Sequence, residues 1–191
     1  PGSQPVDTDG DGTNDDFVGT VKNAGKASIR GMEVETVLYL NDQLSIQGAM
    51  SLMDASIDEW IFNGQNIAAD RFIQNTPEFM GYFGVNYVIP VADGDVTLNA
   101  NFSRKGKTVQ YELSMPEIDQ PAYSLADFNA VWVSEDGGFS FGLHAKNLFD
   151  KRYRVAGYAF GAPYSALGLE NNITAFYGAP RTVTFTFGMN F

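Results

Sequence analysis

The densest run of potential metal ligands opens the chain: Asp7-Thr8-Asp9-Gly10-Asp11-Gly12-Thr13-Asn14-Asp15-Asp16. Calcium takes about six to eight oxygens, and alternating carboxylates around a glycine turn can wrap them about one ion. Asp7, Asp9, Asp11 and Asp15 fall at the first, third, fifth and ninth places of a calcium loop, with Gly12 at the sixth and Asp16 as a further carboxylate. The twelfth place, where a bidentate Glu belongs, is Val18. The EF-hand pattern therefore fails at its last ligand. Two readings stay open, an Asp-rich calcium loop of another geometry and a solvated acidic loop tip. Calcium there is the one cofactor the sequence suggests, and nothing in the chain requires one.

Other reactive chemistry is sparse. There is no cysteine and a single histidine, His144, so disulfides, thiolate zinc sites and His-dependent triads lack material. No Gly-x-Ser-x-Gly and no phosphate-cradling Gly loop occurs, and the one acid pair on a strand face is Glu33 with Glu35. The expectation is a protein that is not an enzyme. Six aromatics, Trp60, Phe62, Tyr111, Tyr158, Phe160 and Tyr164, fall in or beside long connections. They can stack on a ligand or anchor at a membrane interface.

Charge narrows the partners. The chain has 23 Asp and Glu against 12 Lys and Arg, a formal charge of −11. Nucleic-acid binding needs a basic face to displace counterions, so no nucleic acid is expected. No uncharged apolar stretch reaches the roughly 18 to 20 residues of a spanning helix. The best candidate, Val155 to Leu169, is interrupted by Gly157, Gly161, Pro163 and Gly168. Pro1-Gly2-Ser3-Gln4-Pro5 is a loop-like start with no signal peptide, which suggests a fragment.

The elements that position these residues show a period of two. In Thr182 to Phe191 the apolar set Val183, Phe185, Phe187, Met189 and Phe191 alternates with Thr182, Thr184, Thr186, Gly188 and Asn190. Successive side chains of a strand point to opposite faces, so one face is apolar and the other small or polar. The pattern recurs over Met32 to Leu40, Leu44 to Leu52, Val96 to Ser103 and Phe139 to Lys146. It is less regular over Pro77 to Ile89 and Pro121 to Ser134. Ordinary strands run about five or six residues, whereas tilted strands crossing a bilayer need about nine to eleven. Short Asp/Asn/Gly connections at Asn41-Asp42, Pro90 to Asp95 and Glu135 to Gly138 alternate with long ones at Asp54 to Asn75, Gly106 to Gln120 and Ala159 to Ala179. A membrane barrel with tight turns on one rim and long loops on the other has this rhythm. The fold expected is all-β, an antiparallel transmembrane β-barrel wall of about seven long strands. The alternative is a soluble, calcium-stabilised β-sandwich serving as a binding or adhesin module, in which the apolar face is a dry core. A third class, an outer-membrane enzyme barrel such as a lipase or protease, lacks the Ser and His arrangement it needs.

Three motifs carry a resemblance. Asn23-Ala24-Gly25-Lys26-Ala27 followed by Gly31-Met32-Glu33-Val34-Glu35 resembles the start of a late barrel strand of TonB-dependent receptors. Asn147-Leu148-Phe149-Asp150-Lys151-Arg152-Tyr153 is similar to their penultimate-strand motif, and Tyr177-Gly178-Ala179-Pro180-Arg181 leads into a final strand like theirs. The resemblance implies a barrel of about 22 strands, of which this chain would be the C-terminal portion and, in isolation, an open curved sheet with two bare edges, with a plug domain and TonB contacts outside this chain. Residues 1–25 would end an extracellular loop, and 26–191 would be C-terminal wall strands with periplasmic short turns and extracellular long loops. It also implies energy-coupled uptake of a scarce nutrient across a Gram-negative outer membrane, an iron–siderophore or similar chelate first. Val183, Phe185, Phe187, Met189 and Phe191 resemble the signal read by the barrel-assembly machinery, and an unpaired strand edge is a physical basis for it. Partners then include outer-membrane lipid and lipopolysaccharide. Arg104, Lys105 and Lys107, where a strand leaves the membrane, either pair with lipopolysaccharide phosphates or are ordinary rim charges. His144, Lys146, Glu33 and Glu35 fall on the lumen face.

Overall fold

A computed structural model describes residues 2–6, 10, 12, 16–20, 25–62, 64–159 and 172–190, the first two strands by backbone alone. Strands β1 (Gly2–Val6) and β2 (Asp16–Thr20) form a separate hairpin. The wall follows with β3 (Gly25–Tyr39) and β4 (Leu44–Phe62), onto which the two-residue β5 (Gln65–Asn66) folds back. Next come β6 (Phe79–Val91), β7 (Gly94–Lys105), β8 (Tyr123–Ser134) and β9 (Phe139–Lys146). A second hairpin, β10 (Arg154–Ala159) with β11 (Ile173–Tyr177), precedes the last strand, β12 (Thr182–Met189).

Seven strands make one antiparallel sheet in the order β3-β4-β6-β7-β8-β9-β12. These are the seven expected from alternation, and among the described residues β3 and β12 each have one unpaired edge. The register carries the pattern across the whole wall. One row runs Leu38, Ile46, Val85, Ala100, Phe128, Ala145, Val183. The neighbouring row, on the opposite face, runs Tyr39, Ser45, Asn86, Asn99, Asn129, His144, Thr184. A slip of one residue in any strand would send its apolar set to the polar side, so this segregation holds all seven registers at once.

The apolar face is bare. Phe185 and Phe187 are 78% and 61% exposed, and Met32, Leu38, Phe83, Phe102 and Phe141 are exposed as well. Among the described residues no wall strand packs extensively on any strand other than its hydrogen-bonded neighbours. The second layer that a soluble sandwich requires is missing, and that alternative falls. Lipid can supply the burial, roughly 1.5 to 3 kcal/mol for each large apolar side chain. Trp132, Phe139, Phe141 and Phe187 stack beside one another near the short-turn rim, with centroids 5.0 to 6.4 Å apart. Among the described residues no helix is long and apolar enough to cross a membrane.

Local chemistry explains the tight turns. The Asn41 side-chain oxygen accepts the backbone N–H of Gln43 and of Leu44 at 2.9 and 2.8 Å, closing β3 onto β4. Asp136 accepts from the Ser134 hydroxyl at 2.6 Å and from the Gly138 N–H at 2.8 Å, closing β8 onto β9. These bonds hold its carboxyl below the usual carboxylate range, the Ser134 hydroxyl contributing most.

The long rim departs from expectation. β4 continues to Phe62, so Trp60 and Phe62 are strand residues and not part of a loop starting at Asp54. The third long connection begins where β10 ends and holds β11, the two strands pairing as a hairpin. Among the described residues the most deeply buried apolar side chain, Ile118, lies in the connection between β7 and β8 and not in the wall.

Candidate functional site

The polar face is wired across strands. Gln47 on β4 donates from Nε2 to the Tyr82 hydroxyl of β6 at 2.8 Å, and that hydroxyl donates to Oδ1 of Asn101 on β7 at 2.6 Å. Asn101 in turn donates to Asn99 at 2.6 Å. Gly84 makes this possible: a Cβ there would stand 2.7 Å from the Tyr82 hydroxyl, 2.8 Å from Asn101 Oδ1 and 2.9 Å from Gln47 Cγ. Further along, His144 bridges Asn129 on β8 (3.0 Å, Nδ1) and Thr186 on β12 (3.1 Å, Nε2). His144 thus serves as a cross-strand brace. Glu33, Glu35, Ser51, Tyr82, Ser103 and Lys105 border a hollow of about 350 Å³ on the same side.

A rim knot ties β9 to β12. Asn147 is buried, with φ of 49°, a left-handed conformation that asparagine tolerates better than most residues. Its Nδ2 donates to the carbonyls of Lys151 and Ala179, both at 3.0 Å, and its Oδ1 accepts from the Lys151 N–H at 2.8 Å. Its own N–H donates to Asp127 of β8 at 2.8 Å. Asp150 accepts from the Arg181 N–H at 2.9 Å, one residue before β12 starts. The motif was visible in the sequence. Its role as a clasp was not, because the bonds that reach toward β12, Asn147 to Ala179 and Asp150 to Arg181, span 32 and 31 residues.

Above the rim, the connections pack into a cap. Ile118 fits against Gly157 of β10, where a Cβ would lie 2.8 Å from its Cγ2. Buried Asp119 accepts from the Ser114 hydroxyl at 2.5 Å and the Gln110 N–H at 3.2 Å, while Arg154 donates to its carbonyl at 2.6 Å. Tyr111 donates to the Gly157 carbonyl at 3.2 Å, so this ligand candidate is a tie between connections.

Amphipathicity inverts where β3 and β4 rise past Gly31 and Met53. The face that is apolar below carries Arg30, Ser28, Asp54 and Ser56, while the face that is polar below carries Ile29, Ala27, Ala55 and Ile57. A register shift leaves Asp58 unpaired between Ile57 and Glu59. Beyond it, Trp60 joins Ala27, Ile29, Ile57, Phe72 and Ile73 around an open cleft of about 470 Å³, with Gln74 and Glu112 as polar edges. The Arg71 guanidinium lies 5.9 Å from the Trp60 ring centroid. Of the four described aromatic candidates only Trp60 borders this cleft. Phe62 is exposed nearby, and Tyr158, exposed on β10, meets Phe176 edge-on at 5.8 Å. Phe160 and Tyr164 lie outside the described residues, as do Asp7, Asp9, Asp11, Asp15 and Phe191. Asp16 heads β2, its backbone opposite Val6. Among the described residues, no cluster of three or more His, Cys, Asp or Glu could hold a metal. Val183, Phe185, Phe187 and Met189 all stand on the apolar face of β12, beside the unpaired edge. The cleft residues Ile29 and Ile57 went unnoticed in the sequence, although their alternation with Ser28, Arg30 and Ser56 was the available signal.

The model of the TonB-dependent receptor-like β-barrel family matches residues 2–148. The chain belongs to that family. A curated relative, the metal-pseudopaline receptor CntO of Pseudomonas aeruginosa, is 25% identical over 178 residues, covering 91% of this chain and 22% of the relative. Among solved structures, the ferric yersiniabactin uptake receptor FyuA from Yersinia pestis superposes with a TM-score of 0.70 at 21% identity, over 90% of this chain and 25% of FyuA. BauA, the ferric preacinetobactin receptor from Acinetobacter baumannii, gives 0.64 at 19% identity over 90% of this chain and 22% of BauA. The chain therefore spans about a fifth to a quarter of the receptors it matches. In a TonB-dependent receptor the bare apolar face is the lipid side of the wall and the hydrogen-bonded face is the lumen side.

Proposed function

We propose that this chain is the closing stretch of the wall of an outer-membrane importer that takes up a metal held in a small organic chelate, driven through TonB. The observation that carries the reading is the single-layer wall, apolar on one face and cross-braced by polar side chains on the other, in a chain of this receptor family. The chelate class rests on the relatives, which are named for metal-pseudopaline, ferric yersiniabactin and ferric preacinetobactin. Plug and TonB contacts fall to other parts of such a receptor. On this reading residues 1–25 end an extracellular loop, residues 26–191 form wall, the short turns are periplasmic, and the long connections with Trp60 and its cleft face the medium. β12 and the two residues that follow it in sequence carry Val183, Phe185, Phe187, Met189 and Phe191, the set presented to the assembly machinery. The run Asp7 to Asp16 holds calcium between β1 and β2 and steadies that loop.

The test is uptake. Cells lacking the receptor that carries this chain, and cells restored with it, are given radiolabelled metal–chelate complexes in metal-poor medium, with and without TonB. Restored, TonB-dependent accumulation of at least one chelate is expected. A correctly inserted receptor that accumulates none from a broad chelate panel refutes the proposal. For calcium, titration calorimetry with D9N/D11N as comparison should show heat only for the unaltered chain, and no heat for either rejects the site.

A further inference from the structure

We infer that the free edge of β4 at Ala55 and Ile57 is a docking site for an extended three-residue peptide backbone whose outer side chains are apolar and whose central one is basic. The inference rests on the importer reading above and deepens it by naming the chemistry of a ligand met at the medium-facing rim. β4 pairs with β3 as far as Trp60, but β6 covers its other edge only as far as Leu52. Just past that point the Met53 N–H donates to the Glu78 carbonyl at 2.9 Å. Farther on, Trp60 is engaged again. Its N–H donates to Asn66 Oδ1 at 3.0 Å, and its carbonyl accepts from the Ile67 N–H at 2.8 Å.

Between those two anchors the edge is open. The N–H and C=O of one strand residue point to the same side, and successive residues alternate. Met53 points toward β6, so Ala55 and Ile57 do as well, and among the described residues nothing bonds to their backbones there. Both residues are half-buried. Such unpaired groups are a template for an added strand. Two residues of strand span about 7 Å. An antiparallel guest exchanges both bonds between opposed residues, so its first and third residues meet Ile57 and Ala55 while the backbone of its second points away. The anchors at Met53 and Trp60 close the ladder at either end, which sets the length at three residues.

The two faces of β4 choose the side chains. Opposed residues of a ladder share a face, so the first and third side chains stand with Ala55, Ile57 and their neighbours Ile29 and Ala27. Two clefts of about 390 and 470 Å³ open beside this stretch, both bordered by Phe72 and Ile73 and the larger by Trp60 as well. Apolar side chains fit there. The second side chain stands on the face of Asp54 and Ser56, where Asp58 accepts from the Ser28 and Ser56 hydroxyls. Arg30 and Lys26 are electrostatic neighbours of Asp58, and Lys26 also pairs with Glu59 at 4.0 Å. Three carboxylates thus meet two cations, and the negative charge left over is complementary to a basic guest side chain.

The experiment titrates the complete receptor carrying this chain, in neutral detergent, with the tripeptide acetyl-Leu-Lys-Leu-amide by calorimetry. Methylating both leucine nitrogens removes the two donors and should cost about tenfold or more in affinity. Methylating the lysine nitrogen, which points away from β4, should cost nothing. Norleucine in place of lysine should bind several-fold more weakly, and D54N/D58N should erase that difference. A55P removes an edge donor without breaking a ladder bond and should weaken binding about fivefold. The methylated peptides are read on the unaltered receptor, so a folding defect in a variant cannot imitate their result. A catechol cap on the peptide, with and without ferric ion, separates two sources of the same backbone. Tighter binding of the iron form marks an imported chelate, equal binding marks a free peptide, and both support the slot. No binding, or the same loss from either methylation pattern, overturns the slot while TonB-dependent chelate uptake still stands. Loss of that uptake overturns the importer reading instead.

Discussion

Placing the same arginine on opposite faces of the wall separates a lipid-facing side from a lumen side. Ala100 on β7 faces outward between Val85 and Phe128, six residues above the short turn, or about 15 Å at about 3.3 Å per residue and a strand tilt of about 40°. Ala49 on β4 faces inward between Glu35 and Tyr82, five residues above its turn, or about 13 Å at the same rise and tilt. Both sit close to mid-wall. Ala100→Arg puts a guanidinium into hydrocarbon near the bilayer centre, which costs about 2 to 4 kcal/mol. That is a factor of about 30 to 900 in the folded-to-unfolded ratio. Ala49→Arg puts the same group beside Glu35 in a wet lumen, where a cross-strand pair contributes about 0.2 to 1 kcal/mol. Its net effect should stay within about 1 kcal/mol of zero. Denaturant titration of the vesicle-embedded receptor, followed by tryptophan fluorescence, reads both. If Ala49→Arg costs as much as Ala100→Arg, or Ala100→Arg costs less than about 0.5 kcal/mol, the assignment of faces is wrong.

Asn147→Ala removes a side chain making three hydrogen bonds from a buried left-handed position and should cost about 2 to 3 kcal/mol. Amide exchange at Thr182 to Phe185 should accelerate while β6 and β7 stay protected. Gly84→Ala should lower the denaturation midpoint by the equivalent of about 1 to 3 kcal/mol, because its Cβ meets three members of the lumen network. Gly48→Ala, whose nearest neighbour would be an ordinary 3.7 Å away, should leave the midpoint unchanged. The Asp136 carboxyl is held below its ordinary value of 3.8. A depressed folded-state value means its stabilisation is present above the ordinary carboxylate range and is lost as pH falls through the lowered value. Asp136→Asn should therefore flatten the acid limb of the stability–pH curve, and an unchanged limb would show that the turn bonds do not form.

The seven wall strands and the split into apolar and polar faces were legible from residue order. A period of two is local, and each strand carries its own copy of it. The tight turns were legible for the same reason, since Asn41 and Asp136 bond within three residues of themselves. The reach of β4 to Phe62 was not. Above the lipid band the outward face meets water, so the polarity of the two faces exchanges, and the shift at Asp58 then changes the parity. Read against the lower pattern, that segment looks like loop.

Sequence alone therefore determined that the chain makes long two-faced strands joined by alternating short and long connections, because face is a property of position within one strand. Tertiary structure decided which residues stand together: Gln47 with Tyr82 and Asn101, Asn147 with Ala179, Ile118 with Gly157, Trp60 with Ile29. Those groupings depend on register and on packing between segments tens of residues apart. Pairing fixes them only when every strand's apolar side must face the same way.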